Sequence, residues 1–350
     1  MCGIVGYIGK EQAAPILIEG LSRLEYRGYD SAGVAVFDAE SGSLAVHKAK
    51  GRLQVLSEQL HGGADLDSTV GVGHTRWATH GAPSDINSHP QMSRSGKIAV
   101  VHNGIIENYT ELKGFLQSKG VPFVSETDTE VVAQLIEYFY DGDLLQAVGR
   151  VLRRIQGAYA LGILCADCPD QIVSVRKDSP LILGWGEGCN FIASDVTAIL
   201  RHTRRVSYME DGELAVLTRE GIRCYDHLMQ PIDKDVVTID WEMDAAEKGG
   251  YEHFMFKEIM EQPEALRRCL SPRIRNGEAV FEDFSLSEDY VKTMNRIYIV
   301  ACGSSYHVGM VGKYHLERLT RIPVEVALGS EFRYMDPIVD EHTLVIVISQ

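Results

Sequence analysis

The sequence predicts two architectures in succession. An α+β domain of antiparallel strands spans residues 2–240, a linker covers 241–250, and the N-terminal part of a parallel α/β domain fills 251–350. Three observations lead there. Up to about residue 240, short alternating or apolar runs recur between Gly, Asn and Asp, with few helical stretches among them. The segment DWEMDAAEKGG at 240–250 is polar and ends in two glycines, the composition of a linker. Beyond it the rhythm becomes strand, helix, strand, and β-branched runs such as TLVIVIS read as strands buried on both faces.

In chain order, the runs at 3–8, 33–37, 44–48, 71–75, 97–103, 158–165, 171–176, 181–184, 190–193, 205–209 and 213–218 predict strands. Helices are expected at 12–26, where Ile16, Leu17, Leu21 and Leu24 form one apolar stripe, at 110–119, and at 129–140 with Asp128 as its cap. After the linker, 253–270 is amphipathic through Phe256, Ile259, Met260, Leu266 and Leu270, and Pro263 is expected to restart the helix at its first position. A strand at 296–301, a helix at 306–319 and strands at 323–327 and 342–349 complete the pattern. A last strand with no helix after it suggests a piece of a longer protein.

Composition narrows the class. With 350 residues, 45% hydrophobic and 24% charged, the chain suits two soluble domains with separate cores. A formal net charge of −15 repels phosphate backbones and anionic lipid, so neither nucleic acid nor a membrane surface is an expected partner. The RHTRR run at 201–205 reads as a solvated strand edge. Seven scattered cysteines are not a disulfide framework, and no secretory signal or long apolar segment is present, which points to the cytoplasm. The lone Cys165–Cys168 C-x-x-C reads as a turn.

Cys2 follows the initiator methionine directly. A thiol with a pKa of about 8.5 needs a base near neutral pH, and an α-amine titrating at about 7.7 to 8.0 can serve when cysteine is the first residue of the chain. That reading requires removal of Met1. By itself Cys2 reads first as a small hydrophobe at the start of GIVGYIG. Its company is CGIVGYIG at 2–9, EYRGYDSAG at 25–33, HTRWATHG at 74–81, NSHP at 87–90, HNGIIEN at 102–108 and ETDTE at 126–130.

On these motifs the sequence resembles the class II, N-terminal-nucleophile glutamine amidotransferases, and the likeness extends through YEHFMFKEIMEQP at 251–263 to a SIS phosphosugar isomerase domain. The resemblance implies an αββα sandwich of antiparallel sheets, then an incomplete SIS fold. It implies L-glutamine as substrate, with Cys2 as nucleophile and Asn103 and Gly104 as the oxyanion hole. Arg76 and Asp128 would bind the glutamine α-carboxylate and α-amine, Thr79 and His80 would orient it, and Trp77 would cover it. Arg27 and Gly28 would form a supporting loop, and His89 would couple the site to the sugar domain.

In the second domain, IVACGSSY at 299–306 places small polar residues at a helix N-terminus, a ready anion site. The resemblance assigns Cys302, Gly303, Ser304 and Ser305, with Ser349 and Gln350, to fructose 6-phosphate, so that ammonia would yield glucosamine 6-phosphate. It implies no cofactor and no metal, although His74, His80, His89 and His102 cluster in the sequence, and it implies a homodimer or higher homo-oligomer through a complete SIS domain. The chain as given is expected to retain only glutamine hydrolysis. Two other readings compete. One is an amidotransferase with a phosphoribosylpyrophosphate-binding second half, against which IVACGSSY and GSEFRY at 329–334 argue. The other is a sugar-phosphate-sensing module with a decayed glutaminase half, against which the intact Cys2, Arg76, Asn103, Gly104 and Asp128 argue.

Overall fold

The computed structural model describes residues 2–240, 250–275, 277–281 and 286–349, apart from the Phe254 side chain. It divides into two units, Met1–Gly250 and Tyr251–Gln350. Residues 241–249 of the expected linker, together with Met1 and Gln350, lie outside the described residues.

The first unit is built on two antiparallel sheets. One runs in the order β15 (Val237–Thr238), β11 (Arg205–Tyr208), β9 (Ile182–Trp185), β10 (Asn190–Ala193), β1 (Gly3–Ile8), β4 (Val70–Arg76), β2 (Ser31–Asp38) and β3 (Ser43–Lys50). The other runs β14 (Pro231–Ile232), β13 (Ile222–Tyr225), β12 (Leu214–Leu217), β8 (Ile172–Lys177), β7 (Gly157–Cys165), β6 (Ile98–Ile106) and β5 (Gln91–Met92).

Side-chain alternation explains how these sheets layer, because successive residues of a strand point to opposite faces. From β1, Ile4 and Ile8 join Val72, Ala99, Val101, Ala160 and Ile192 in a core contributed by both sheets. The intervening Val5 and Tyr7 pack instead with Leu17 and Leu21 of α1 (Ala13–Ser22) and Leu53 and Leu56 of α2 (Leu53–Gln59). From β6, Ile98 and Val100 face Leu112 and Leu116 of α3 (Tyr109–Ser118), Leu135 of α4 (Asp128–Phe139) and Val148 of α5 (Leu144–Leu152). The layers are therefore helix, sheet, sheet, helix, the predicted αββα sandwich. Each buried aliphatic side chain contributes about 1.5–3 kcal/mol, and a one-residue slip of β1 or β6 would exchange its two core faces.

Several elements differ from expectation. The first helix ends at Ser22, and a separate helical turn, Glu25–Arg27, follows it. Helices α2 and α5 were not predicted: the first is short, and the second starts at Asp143, whose side chain accepts from Gln146 N–H. In α4 the cap is Thr127, which accepts from Glu130 N–H, and Asp128 is the first helical residue. In the second unit Pro263 lies inside one continuous helix, Phe254–Leu270. Its missing N–H removes a single hydrogen bond at an exposed part of the helix, and the turns on either side carry the helix through. The apolar stripe Phe256, Ile259, Met260, Leu266 and Leu270 is exposed within that unit.

The second unit carries a parallel sheet in which Arg296–Ala301 lies between Val324–Leu328 and Thr343–Ile348. The Gly303–Thr320 helix covers it through Leu316, against Ile297, Ile299 and Val324.

Three imidazoles form a polar island inside the first unit. His74 on β4, His89 in the loop before β5 and His102 on β6 are buried, with ring centroids 4.4 Å apart for His74–His89 and 6.3 Å for His89–His102. Burial pushes the pKa of His74 down to about 3 and that of His89 well below its ordinary value. It also lowers His102, although Asp128 beside it pulls the other way. Arg76 and Lys48 add positive charge around His89. In the unfolded chain these groups titrate near 6.5, so below that pH the unfolded state binds more protons than the folded one. Stability contributed by the three neutral rings is thus fully present above about pH 6.5. The His74 share falls as the pH drops from there toward its folded value of about 3, at about 1.4 kcal/mol per pH unit, and the lowered His89 and His102 act in the same direction. Urea unfolding at pH 7 and pH 5 is expected to show a clearly lower midpoint at pH 5. Equal midpoints would contradict this account.

Candidate active site

The β1–β4 register places Gly3 opposite Thr75, which carries Cys2 to the end of β4 where Arg76 and Trp77 follow. The Cys2 Sγ accepts a hydrogen bond from Trp77 N–H at 3.2 Å and lies 3.5 Å from the Trp77 carbonyl oxygen, to which a thiol proton can point. Burial raises the thiol pKa, while the Trp77 N–H and the Arg76 charge pull it back. The thiol is therefore held protonated near neutral pH and needs a base.

The loop supporting this corner is the RGYD turn. Asp30 donates its backbone N–H to the Arg76 carbonyl at 3.0 Å, and its Oδ2 accepts from Ala78 N–H at 2.9 Å. Gly28 lies so close that a Cβ there would sit 2.8 Å from both Arg76 C and Trp77 N. Arg27 pairs with Asp195 at 2.5 Å and approaches the Ser194 carbonyl at 3.5 Å. Sequence reasoning chose Arg27 and Gly28 here and missed Asp30. The available signal was a carboxylate in a tight turn, a residue type that fastens neighbouring backbone N–H groups.

Asn103 and Gly104 stand near the end of β6. The Asn103 Nδ2 donates to the Cys2 carbonyl at 3.1 Å, which brings an amide donor beside Cys2. Gly104 has φ +122°, and a Cβ at that position would fall inside contact distance of the Ala158 carbonyl oxygen. Only glycine fits.

Arg76 and Asp128 each keep one arm occupied and one arm free. The Arg76 Nη2 donates to the carbonyls of His80 and Gly81, whereas its buried Nη1 has no partner among the described residues. The Asp128 Oδ2 accepts from Ile106 N–H at 2.8 Å, and its Oδ1 makes no hydrogen bond among the described residues. Burial lowers the guanidinium pKa, opposed by the charges of Cys2, Asp128 and Asp30, so these groups share one electrostatic neighbourhood.

Trp77 is 45% exposed, with its ring edge-on to Tyr29 at 5.5 Å. Thr79 is exposed, and the half-buried His80 ring sits edge-on to Tyr109 at 5.3 Å. The His89 ring is interior to the first unit, packed between His74 and His102. The burial follows from the 86–90 loop, which Lys48 draws inward by donating to the carbonyls of Ile86, Ser88 and Pro90 at 3.2, 3.0 and 3.3 Å. Among the described residues no group of three or more His, Cys, Asp or Glu side chains is arranged to hold a metal ion, and no helix is long and apolar enough to cross a membrane. Cys165 and Cys168 close a turn, with Cys168 N–H donating to the Cys165 carbonyl at 3.0 Å.

In the second unit the sugar-phosphate candidates share one edge. Cys302 follows the central strand, Gly303, Ser304 and Ser305 open the helix, and Ser349 follows the neighbouring strand, whose Ile348 is in register with Ala301. A Cβ on Gly329, after the other flanking strand, would lie 3.4 Å from Cys302 Sγ. The carboxyl ends of three parallel strands thus meet where the strand order reverses, the usual place for a ligand in such sheets. Gln350 is outside the described residues.

Comparison with known proteins adds the following. A glutamine amidotransferase domain model matches residues 74–201 and a SIS domain model matches 291–350. The glutamine--fructose-6-phosphate aminotransferase (isomerizing) of Caldanaerobacter subterraneus is 55% identical over 351 residues, and those of Clostridium tetani and Thermus thermophilus are 54% and 49% identical. Each alignment covers 100% of this chain and 57% of the relative, so the chain spans little more than half the length of these curated relatives. Among solved structures, the glutamine phosphoribosylpyrophosphate amidotransferase of B. subtilis, complexed with ADP and GMP, superimposes with a TM-score of 0.59 at 22% identity, covering 93% of this chain and 65% of that one. At that identity the likeness is one of fold, and the N-terminal-nucleophile fold is what it shows. Over its whole length the chain is similar to glutamine--fructose-6-phosphate aminotransferases, with a match to a glutamine amidotransferase domain followed by one to a SIS domain.

Proposed function

We propose that the first unit hydrolyses L-glutamine at Cys2 and that the whole protein passes the ammonia to fructose 6-phosphate, forming glucosamine 6-phosphate and glutamate. The observation that carries this reading is the pair of unpartnered arms, Arg76 Nη1 and Asp128 Oδ1, in the neighbourhood of a half-buried thiol with an amide donor next to it. A guanidinium and a carboxylate so arranged suit the carboxylate and ammonium of a free amino acid. With Met1 removed, the Cys2 amine takes the thiol proton, directly or through one water. The sulfur then attacks the side-chain amide carbon, and its electron pair forms the C–S bond while the carbonyl π pair moves to oxygen. The Asn103 Nδ2 and the Gly104 N–H stabilise that oxyanion. Collapse expels the amide nitrogen, which leaves as ammonia carrying the proton from the amine, and water releases glutamate from the thioester. Thr79, His80 and Trp77 line the approach, and Arg27, Gly28 and Asp30 keep the loop in place. Cys302, Gly303, Ser304, Ser305, Ser349 and Gln350 would begin the sugar-phosphate site. The identity of 49–55% to aminotransferases of that name supports the sugar half.

Release of glutamate from glutamine by the purified chain tests the first half, and amino-sugar formation by the full-length protein tests the second. In the same assay Arg76→Lys is expected to raise KM for glutamine about 10- to 100-fold with a smaller effect on kcat. A charge-assisted contact contributes about 1.5–3 kcal/mol, and the ammonium cannot hold the loop carbonyls and the substrate carboxylate with two separate arms. An unchanged KM would remove Arg76 from the binding role.

A further inference from the structure

His74 lies one strand away from the nucleophile and has no role in the chemistry above, yet its ring addresses the Asn103 amide. Its Nε2 sits 3.0 Å from the His102 carbonyl oxygen and 3.1 Å from Asn103 Oδ1. We infer that His74 is a positioning residue that holds the Asn103 amide with its NH2 toward Cys2 and its oxygen turned away, an inference that rests on the glutaminase reading.

Two fixed carbonyls decide the orientation. The His102 carbonyl can only accept, so the His74 Nε2 facing it carries the hydrogen. That N–H leaves room only for an acceptor on its other neighbour, which makes the near atom of Asn103 its oxygen. At the far end of the same amide the Cys2 carbonyl, 3.1 Å away, can also only accept, so the atom facing it is the NH2 group. The ring itself is held in place. His74 is fully buried on a strand paired on both sides, and the His89 ring covers it at 4.4 Å. Burial keeps the imidazole neutral through the physiological range, so the Nε2–H arrangement persists and Nδ1 carries only a lone pair. Without the ring only the Cys2 carbonyl holds the Asn103 amide, whose broad terminal torsion can then also reach a setting in which its oxygen faces the developing oxyanion.

The prediction is specific to the step that builds negative charge on oxygen. His74→Phe is expected to lower kcat for glutamine hydrolysis about 100-fold, the scale of losing one oxyanion donor, with KM changed less than about threefold because Arg76 and Asp128 remain. Alkylation of Cys2 by iodoacetamide displaces iodide at a saturated carbon and creates no oxyanion, so its rate should stay at the wild-type value. His74→Gln, which restores an N–H donor, is expected to recover at least tenfold over the Phe variant. In a double-mutant cycle with Asn103→Leu, the His74 change should cost nothing further once Asn103 is gone. If His74→Phe does not fold, the cycle is run with His74→Gln and His74→Ala. Wild-type-like hydrolysis in the Phe variant, parallel loss of hydrolysis and alkylation, or additive losses in the cycle would each overturn the inference. Failure of the wild-type chain to release glutamate would overturn the glutaminase reading itself.

Discussion

Cys2→Ala is expected to reduce glutamate release to background, a loss on the order of 10^6 in kcat if nucleophile removal costs what it does in other acyl-transfer enzymes. The size of the effect follows from the division of labour at the site. Arg76 and Asp128 would still bind glutamine and Asn103 would still offer a donor, but the sulfur that forms the thioester would be gone. Burial raises the thiol pKa, so the resting site has little thiolate and depends on a base. Under the proposed mechanism that base exists only on chains without Met1. The fraction of molecules lacking Met1, read by intact mass, should therefore match the fraction labelled at Cys2 by a glutamine-like electrophile. Labelling of molecules that retain Met1 would refute the α-amine as base, and turnover by the Ala variant would refute Cys2 as nucleophile.

Gly104→Ala is expected to lower kcat about 10²- to 10³-fold, with KM for glutamine little changed, and to cost about 1–3 kcal/mol of stability. Two constraints act together there. The backbone sits at φ +122°, where residues with a Cβ are strained, and the new methyl would be driven into the Ala158 carbonyl oxygen across the β6–β7 pair. Relief requires either opening the ladder or rotating the Gly104 peptide, and either motion moves the N–H proposed for the oxyanion. Gly114, inside α3 with nothing within 4 Å of its would-be Cβ, supplies the control. Gly114→Ala should leave turnover unchanged and raise stability by about 0.5–1 kcal/mol. Thermal unfolding and steady-state kinetics on both variants check this, and equal behaviour of the two would contradict it.

Strand positions were legible because their period is short and their punctuation strong: β1 was read at 3–8 and the central strand of the second unit at 296–301, as found. Short elements escaped. LQVLSEQ offers only Leu53 and Leu56 as a buried pair, too little for a periodic signal, and the two-residue strands β5, β14 and β15 are defined by their neighbours rather than by their own composition. At the site, motif spacing could nominate residues but could not say what each side chain touches. Asp30 was hidden because its job is to hold backbone, and the burial of His89 was hidden because nothing in NSHP reveals that Lys48, from a distant strand, gathers the loop inward. The single-residue error at Thr127 and Asp128 has the same origin, since both residue types cap helices and only tertiary contacts choose between them.

That one-residue offset also sets how far the chain length can vary here. Thr127 fixes where α4 begins, and Asp128, the next residue, reaches sideways to Ile106 N–H on β6. A helix turns about 100° per residue, so inserting or deleting one amino acid between the cap and the acid would swing the carboxylate away from the strand it grips. Loops such as 39–42 have no such double anchorage across the sheet. Natural length variation should therefore collect in the turns far from ETDTE, and this five-residue stretch should tolerate exchanged side chains better than a changed residue count.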